Sequence, residues 1–344
     1  MTHEFKNIIQ GYLNARHLGL TCVMATVVDL DGSSYRRPGV RMLLNEHGQM
    51  TGAVSGGCVE KEILKQAYTV FDTGVSKMMT YDGRYRLGCE GTLYILIERF
   101  SPDERLLRAF AQIVEKRESF DIHSRFKNTT GTDPRLGSVL LIGSASYMFN
   151  GADYVPETIA EEIKIFKQRL KPCFRLMIVG AEHDAAQLSI MAASLGWEVN
   201  VVDSPSSPQV LTDFPGASAL IKTTANDWSI EQIDANTAIV LMSHSYVKDL
   251  EFLFRLKNER PAYIGLLGPS NRRERMLNDL IEKYDRIDES FFDLVYGPAG
   301  LNIGAETPQE IALSICSEIL SITRGQYPKS LKDKLGSIHL NTKL

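Results

Sequence analysis

The chain has 344 residues, 44% of them hydrophobic and 23% charged, and a formal net charge of −4. That profile fits a globular protein with room for two domains and a sizeable core, and it excludes the strongly basic balance of a nucleic-acid binder. Five scattered cysteines, Cys22, Cys58, Cys89, Cys173 and Cys316, with no CxxC pair, argue against a disulfide framework or a zinc site and for a reducing, cytoplasmic setting.

The first residues, Met1 to Lys6, lack the basic-then-apolar pattern of a signal peptide, and no apolar run is long enough to span a membrane. His3 to Arg16 carries Phe5, Ile8, Ile9, Tyr12 and Leu13 on one helical face. Thr21 to Val28 reads as a buried strand and Asp29 to Ser34 as a turn. A polar loop, Tyr35-Arg36-Arg37-Pro38-Gly39, leads to a hairpin of Val40 to Asn45 and Gln49 to Val54. Then comes Gly52-Ala-Val-Ser-Gly56-Gly57-Cys58-Val-Glu60, a strand end, two glycines and a cysteine that opens a helix striped by Val59, Ile63, Leu64, Ala67, Tyr68 and Phe71. Glycines free backbone N–H groups to face an anion, and the helix N-terminus favours a thiolate. Glu60 and Glu62 in the first helical turn oppose that thiolate. A structural turn followed by a small buried thiol is the competing reading.

Lys77 to Tyr81 and Thr92 to Glu98 are strands around a second glycine-cysteine loop, Gly88-Cys89-Glu90-Gly91. Two such loops beside strand ends can meet in one sheet layer. Asp103 to Lys116 is helical, Phe120 to Phe126 and Ser138 to Ser144 are strands, and Pro156 to Arg169 reads as a long charged helix. The sequence divides into residues 1–170, 171–325 and a tail, 326–344. The second part alternates strictly. Strands Arg175 to Val179, Glu198 to Val202, Ala238 to Met242 and Ala262 to Leu267 are interleaved with helices Asp184 to Leu195, Lys248 to Asn258, Asn271 to Tyr284 and Pro308 to Ile322. This pattern predicts an α/β chain, an N-terminal mixed domain followed by a Rossmann-like, doubly wound parallel sheet. Ligands of such sheets sit beyond the C-terminal strand ends, where Asp203, Ser243-His244 and Gly265 to Gly268 fall.

Val179-Gly180-Ala181-Glu182-His183 stands where a dinucleotide fingerprint would, with Asp203 at the end of the next strand. Glu182 replaces the central glycine and would repel a pyrophosphate, which weakens the case for NAD(P). Gly268-Pro-Ser-Asn-Arg272-Arg273 opens a helix with donors suited to phosphate, or is a solvated helix face. Arg36 and Arg37 either hold an anion or are simply exposed.

Together these residues resemble the xanthine dehydrogenase accessory factors of the XdhC/CoxI type over nearly the whole chain. Gly32-Ser-Ser-Tyr-Arg-Arg-Pro-Gly39, Gly52 to Glu60, and Gly88-Cys89-Glu-Gly91 followed by Leu93 to Glu98 are similar to the family's GSxPRxxG, GxxxGGCxE and GCGG…VLIE segments. Leu176 to His183, Ser243-His244, Tyr263 to Gly268 and Gly300 to Ile311 are similar to its GAGH, THD, IGLIGS and GLDIGARTPEEIA segments. The resemblance implies a cytoplasmic, dimeric chaperone that transiently binds the molybdenum cofactor, a pterin with a phosphate and a dithiolene. It implies help in sulfuration by a cysteine desulfurase and delivery to apo-xanthine dehydrogenase or a related molybdenum hydroxylase. On that reading Cys58 contacts molybdenum or sulfur with Cys89 as neighbour or relay. Arg36, Arg37, Gly56, Gly57, Gly180, His183, Asp203, His244, Gly268, Arg272 and Arg273 line the cofactor. Two departures, Glu90 and Glu182, put carboxylates where the family has bare backbone. The alternatives are an NAD(P)-dependent oxidoreductase and a non-catalytic scaffold.

Overall fold

The computed structural model describes residues 1–32, 37–55, 57–83, 91–154, 162–231, 233–284 and 287–333, with the backbone but not the side chain of Cys58. Its contacts form two compact units, Met1–Pro172 and a second beginning at Cys173.

The first unit runs α1 (Thr2–His17), β1 (Cys22–Gly32), β2 (Arg41–Asn45), β3 (Met50–Gly52), α2 (Cys58–Thr73), β4 (Lys77–Asp82), β5 (Gly91–Arg99), α3 (Glu104–Glu115), β6 (Phe120–Phe126), β7 (Gly131–Thr132), β8 (Gly137–Ile142), β9 (Ala145–Met148) and β10 (Lys164–Leu170). Among the described residues it holds two antiparallel sheets, ordered β3-β2-β1-β5-β4-β7 and β10-β6-β8-β9. Strand side chains alternate between faces, so the first sheet buries two apolar surfaces. On one, Val59, Ile63, Ala67 and Val70 of α2 pack against Val23, Ala25, Val27, Ile95 and Ile97. On the other, Met24 and Leu43 meet α1, α3 and the second sheet through Phe5, Phe110, Phe120 and Ile122. Phe5 stands edge-on to Phe110 with ring centroids 5.2 Å apart.

A polar seam crosses this second interface. Glu98 on β5 accepts from the N–H and hydroxyl of Ser138 on β8, and Arg41 on β2 donates to Gln168 on β10. Arg41 Nε and Nη2 and the Thr26 hydroxyl are buried there without partners.

Four sequence expectations are corrected in this unit, the first being that Leu13 is exposed and not part of the buried face of α1. Lys164 to Leu170 is a strand and not the end of a helix. It pairs residue for residue with Phe126 to Phe120, and Gln168 and Leu170 are buried while Lys167 and Arg169 are exposed, a period of two. The first part of that expected helix, residues 156–161, lies outside the described residues. Asp29 to Gly32 is not a turn, because β1 stays paired with β5 as far as Gly32 opposite Gly91. Tyr68 is not part of the buried stripe of α2: it is 54% exposed, on the face turned from the sheet.

The second unit runs β11 (Arg175–Val179), α4 (His183–Ser194), β12 (Glu198–Asp203), β13 (Ala217–Lys222), β14 (Thr237–Leu241), α5 (Tyr246–Arg255), β15 (Tyr263–Leu266), α6 (Ser270–Lys283), α7 (Glu289–Phe292), β16 (Val295–Tyr296) and α8 (Pro308–Thr323). The strand order is β13-β12-β11-β14-β15-β16, and every pair is parallel. This is the doubly wound Rossmann order, with its switch point between β11 and β14. Helices cover both faces. Leu188, Ala192, Ile315 and Ile319 lie over Leu176 and Ile178, and Leu253, Met276 and Leu280 lie over Val179, Ile239 and Leu241. The strands therefore read as continuous apolar runs in the sequence. Sequence patterning missed β13 and β16, the two edge strands, and the short α7, as it missed β7 and β9 in the first unit.

Candidate functional site

The strand pairing of the first sheet fixes where its loops emerge. β1 ends at Gly32 beside Gly91, the start of β5, and β4 ends at Asp82 beside Thr92. β2 begins at Arg41 beside Thr26, and β3 ends at Gly52 beside Met42. Antiparallel neighbours run in opposite directions, so the connections β1–β2, β3–α2 and β4–β5 all leave the same end of the sheet. These connections carry the arginine loop and both glycine-cysteine loops. Arg36, Gly56 and Cys89 themselves lie outside the described residues. Arg37 is exposed.

Gly39 and Gly57 are needed for their backbone. Gly39 has φ +98°, donates to Val27 O at 2.7 Å, and leaves no room for a Cβ against Gln168. Gly57 has φ +122°, and it is the residue that turns the chain into α2. Cys58 is the first residue of that helix. The sequence placed Glu60 near this turn only as a charge opposing a thiolate. In the fold it is the anchor of the turn. One carboxylate oxygen accepts from the N–H of Val54 at 3.1 Å and of Ser55 at 2.5 Å. The other accepts from the N–H of Gly57 at 2.7 Å and the hydroxyl of Ser55 at 2.9 Å. Burial works against its ionisation, but these donors outweigh burial and hold the carboxyl below the usual carboxylate range. The sequence signal was its place at the third helical residue, where a carboxylate reaches back to the N-cap N–H.

Burial disfavours the thiolate at two of the remaining described cysteines. Cys22, Cys173 and Cys316 are buried and form no disulfide. Burial, with a smaller contribution from Glu46, pushes Cys22 up to about 11, and burial pushes Cys316 up to about 12. Among the described residues no group of three His, Cys, Asp or Glu side chains is placed to hold a metal ion.

The second unit gathers its predicted residues at the C-terminal strand ends, where most meet protein partners. Gly180, φ +125°, presses on the end of β14, so that a Cβ would lie 2.5 Å from Met242 O. Glu182 and His183 are exposed at the start of α4. Across the switch point, His244 sits at φ +55° with its Nε2 3.8 Å from Asp184 Oδ2. Asp203 is held by Lys222 Nζ at 2.7 Å and by the Ser204 N–H at 2.7 Å. Burial opposes its ionisation, yet Lys222 and the serine donors keep its carboxyl low. The group that a dinucleotide ribose would use is thus already engaged. Arg272, beside Gly268, donates to Asp249 Oδ2 at 2.6 Å, and Asp249 also accepts from the Ser243 hydroxyl at 2.5 Å and N–H at 3.2 Å. Arg273 Nε donates to Val295 O at 3.0 Å. Both arginines brace the strand ends from within. Asp249 and Lys222 were invisible in the sequence because their partners are 23 and 19 residues away.

Comparison with known proteins agrees with this two-part organisation. The XdhC and CoxI family matches residues 15–82, and the XdhC Rossmann domain matches residues 176–319. A Bacillus subtilis (strain 168) protein named as a probable subunit of xanthine dehydrogenase is 30% identical over 327 residues, spanning 87% of this chain and 92% of that one. The "Molybdenum cofactor insertion chaperone PaoD" of Escherichia coli (strain K12) is 23% identical, spanning 94% of this chain and 90% of that one. A crystal structure from Bacillus halodurans, described as a xanthine dehydrogenase, has a TM-score of 0.75 at 26% identity, covering 93% of this chain and 97% of that one.

Proposed function

The chain belongs to the XdhC and CoxI family, and from that premise we propose that it is an accessory protein that takes up the molybdenum cofactor as cargo and hands it to a molybdenum hydroxylase of the xanthine dehydrogenase type. The observation that carries this reading is that the connections bearing the arginine loop and both glycine-cysteine loops leave the same end of the first sheet. A soft thiol and a set of cations on one edge suit a cargo with a soft metal and a phosphate. The match to a cofactor insertion chaperone over 94% of this chain and 90% of that one supports it.

In this proposal Cys58 is the ligand that meets molybdenum or its sulfur, with Cys89 as the second thiol. Arg36 and Arg37 neutralise the phosphate. A cysteine desulfurase supplies the sulfur, the apo-hydroxylase receives the loaded cofactor, and the chain works in the cytoplasm as a dimer. The second unit lends shape rather than a nucleotide site, since Glu182 stands at the phosphate position and Lys222 occupies Asp203.

The test is retention of cargo. Wild type and Cys58→Ala are purified from a host that makes the cofactor, and molybdenum and pterin are measured per chain. The expected result is cofactor on the wild type and loss of most of it from the variant. Equal loading of the two proteins would remove Cys58 from the site, and an empty wild type would overturn the carrier reading.

A further inference from the structure

The buried seam between the two sheets of the first unit has more donors than acceptors. Arg41 is 6% exposed and Thr26 is fully buried. The two stand directly opposite each other on β2 and β1, so their side chains leave one face of the sheet about 5 Å apart. Arg41 Nη1 donates to Gly39 O at 3.0 Å and to Gln168 Oε1. Arg41 Nε and Nη2, which point the same way from the other edge of the guanidinium plane, have no acceptor among the described residues, and the Thr26 hydroxyl has no partner there either. The acceptors close by are engaged. Both Glu98 oxygens accept from Ser138, and Gln168 Nε2 donates to the Met1 thioether, a weak acceptor, at 3.2 Å.

The charge of the seam is unbalanced in the same sense. Burial pulls the Arg41 guanidinium from 12.5 down to about 10, and the carboxylates of Glu98 and Glu4 offset only part of that. Burial pushes Glu98 up to about 7, so at neutral pH it supplies a fraction of one negative charge. The Phe5 ring, with its centroid 6.0 Å from the guanidinium carbon, adds no acceptor. The missing group is therefore an acceptor that carries negative charge. A water molecule would bring two more donors into a place that already has them in excess.

We propose that Arg41 Nε and Nη2 and the Thr26 hydroxyl hold a small monovalent anion of halide size between the two sheets. The anion completes the bonding of an arginine whose Nη1 clamps the carbonyl of Gly39, the residue that closes the arginine loop. It fixes the base of that loop from inside the core. The site is independent of the cargo reading, and its test uses no cofactor.

The experiment measures thermal unfolding of the full chain by circular dichroism in chloride and in isethionate, a bulky sulfonate, at matched ionic strength. Wild type should gain about 5 °C between about 1 and about 150 mM chloride and show no such gain in isethionate. Thr26→Val keeps the shape without the hydroxyl and should need a higher chloride concentration for the same gain. Arg41→Met should show no gain. Crystals grown in bromide should give an anomalous bromine peak in contact with Arg41 and Thr26. If Arg41→Met does not fold, Thr26→Val and the bromide crystals decide the matter. A chloride response identical in wild type and Thr26→Val, equal melting in the two salts, or bromine on surface sites only, an adventitious ion, would overturn the proposal.

Discussion

Glu98 closes the buried polar seam of the first unit, and it should make the stability of that unit fall as pH rises toward neutrality. Its side chain is 3% exposed. Burial is the largest influence and pushes its carboxyl from 4.5 up to about 7, against the Ser138 hydroxyl and N–H bonds and the Arg41 guanidinium. The folded chain therefore binds this proton more tightly than the unfolded chain. A group of that kind contributes stability that is fully present below its unfolded value and is lost as pH rises through its folded value. Between pH 4.5 and about 7, at about 1.4 kcal/mol per pH unit, the loss is roughly 3 kcal/mol. Glu98→Gln is neutral throughout and keeps an acceptor for Ser138, so it removes this slope. The assay is urea unfolding by far-ultraviolet circular dichroism across this range. Both tryptophans, Trp197 and Trp228, lie in the second unit, and their fluorescence reports that unit separately. The difference in unfolding free energy between variant and wild type should grow in favour of the variant by about 3 kcal/mol across the interval. Parallel pH profiles would refute the reasoning.

Two more outcomes follow from the second unit. Asp249 is 1% exposed, and Asp249→Ala leaves Arg272 and the Ser243 N–H without their acceptor, so the unit should lose about 3–5 kcal/mol by tryptophan-monitored unfolding. A loss under about 1 kcal/mol would mean the pair does not hold these strand ends. Gly180→Ala places a Cβ at 2.5 Å from Met242 O at a backbone φ of +125°, and should cost at least about 2 kcal/mol in the same assay. A neutral effect would show that the two strand ends are free to part.

The parallel sheet was legible because its strands are buried on both faces and punctuated by helices with clear stripes. Arg175 to Val179 was read to the residue, whereas β13 and β16 were missed as edge strands of weak apolar pattern. The charged run before Leu170 misled because lysines on the exposed positions of an edge strand resemble one face of a helix. Only its pairing with β6 resolves the period. In the candidate site, the glycine turn and the helix start at Cys58 were visible in local chemistry. The role of Glu60 was not, because it depends on how Gly57 folds the preceding amides back over the helix. Arg272 and Arg273 looked like phosphate ligands for a related reason. Their acceptors, Asp249 and Val295 O, are brought to them by the sheet and leave no mark near them in the chain.

The central claim, that Cys58 at this sheet edge hands a molybdenum cofactor to a hydroxylase, is tested most directly by transfer. Cofactor-loaded wild type and Cys58→Ala, matched in cofactor supplied, are mixed with a cofactor-free molybdenum hydroxylase of the xanthine dehydrogenase type, and recovered enzyme activity is measured. The expected result is activation in proportion to wild-type chain and only a small fraction of it with Cys58→Ala. Equal activation by the two proteins, or none by either, would contradict the account.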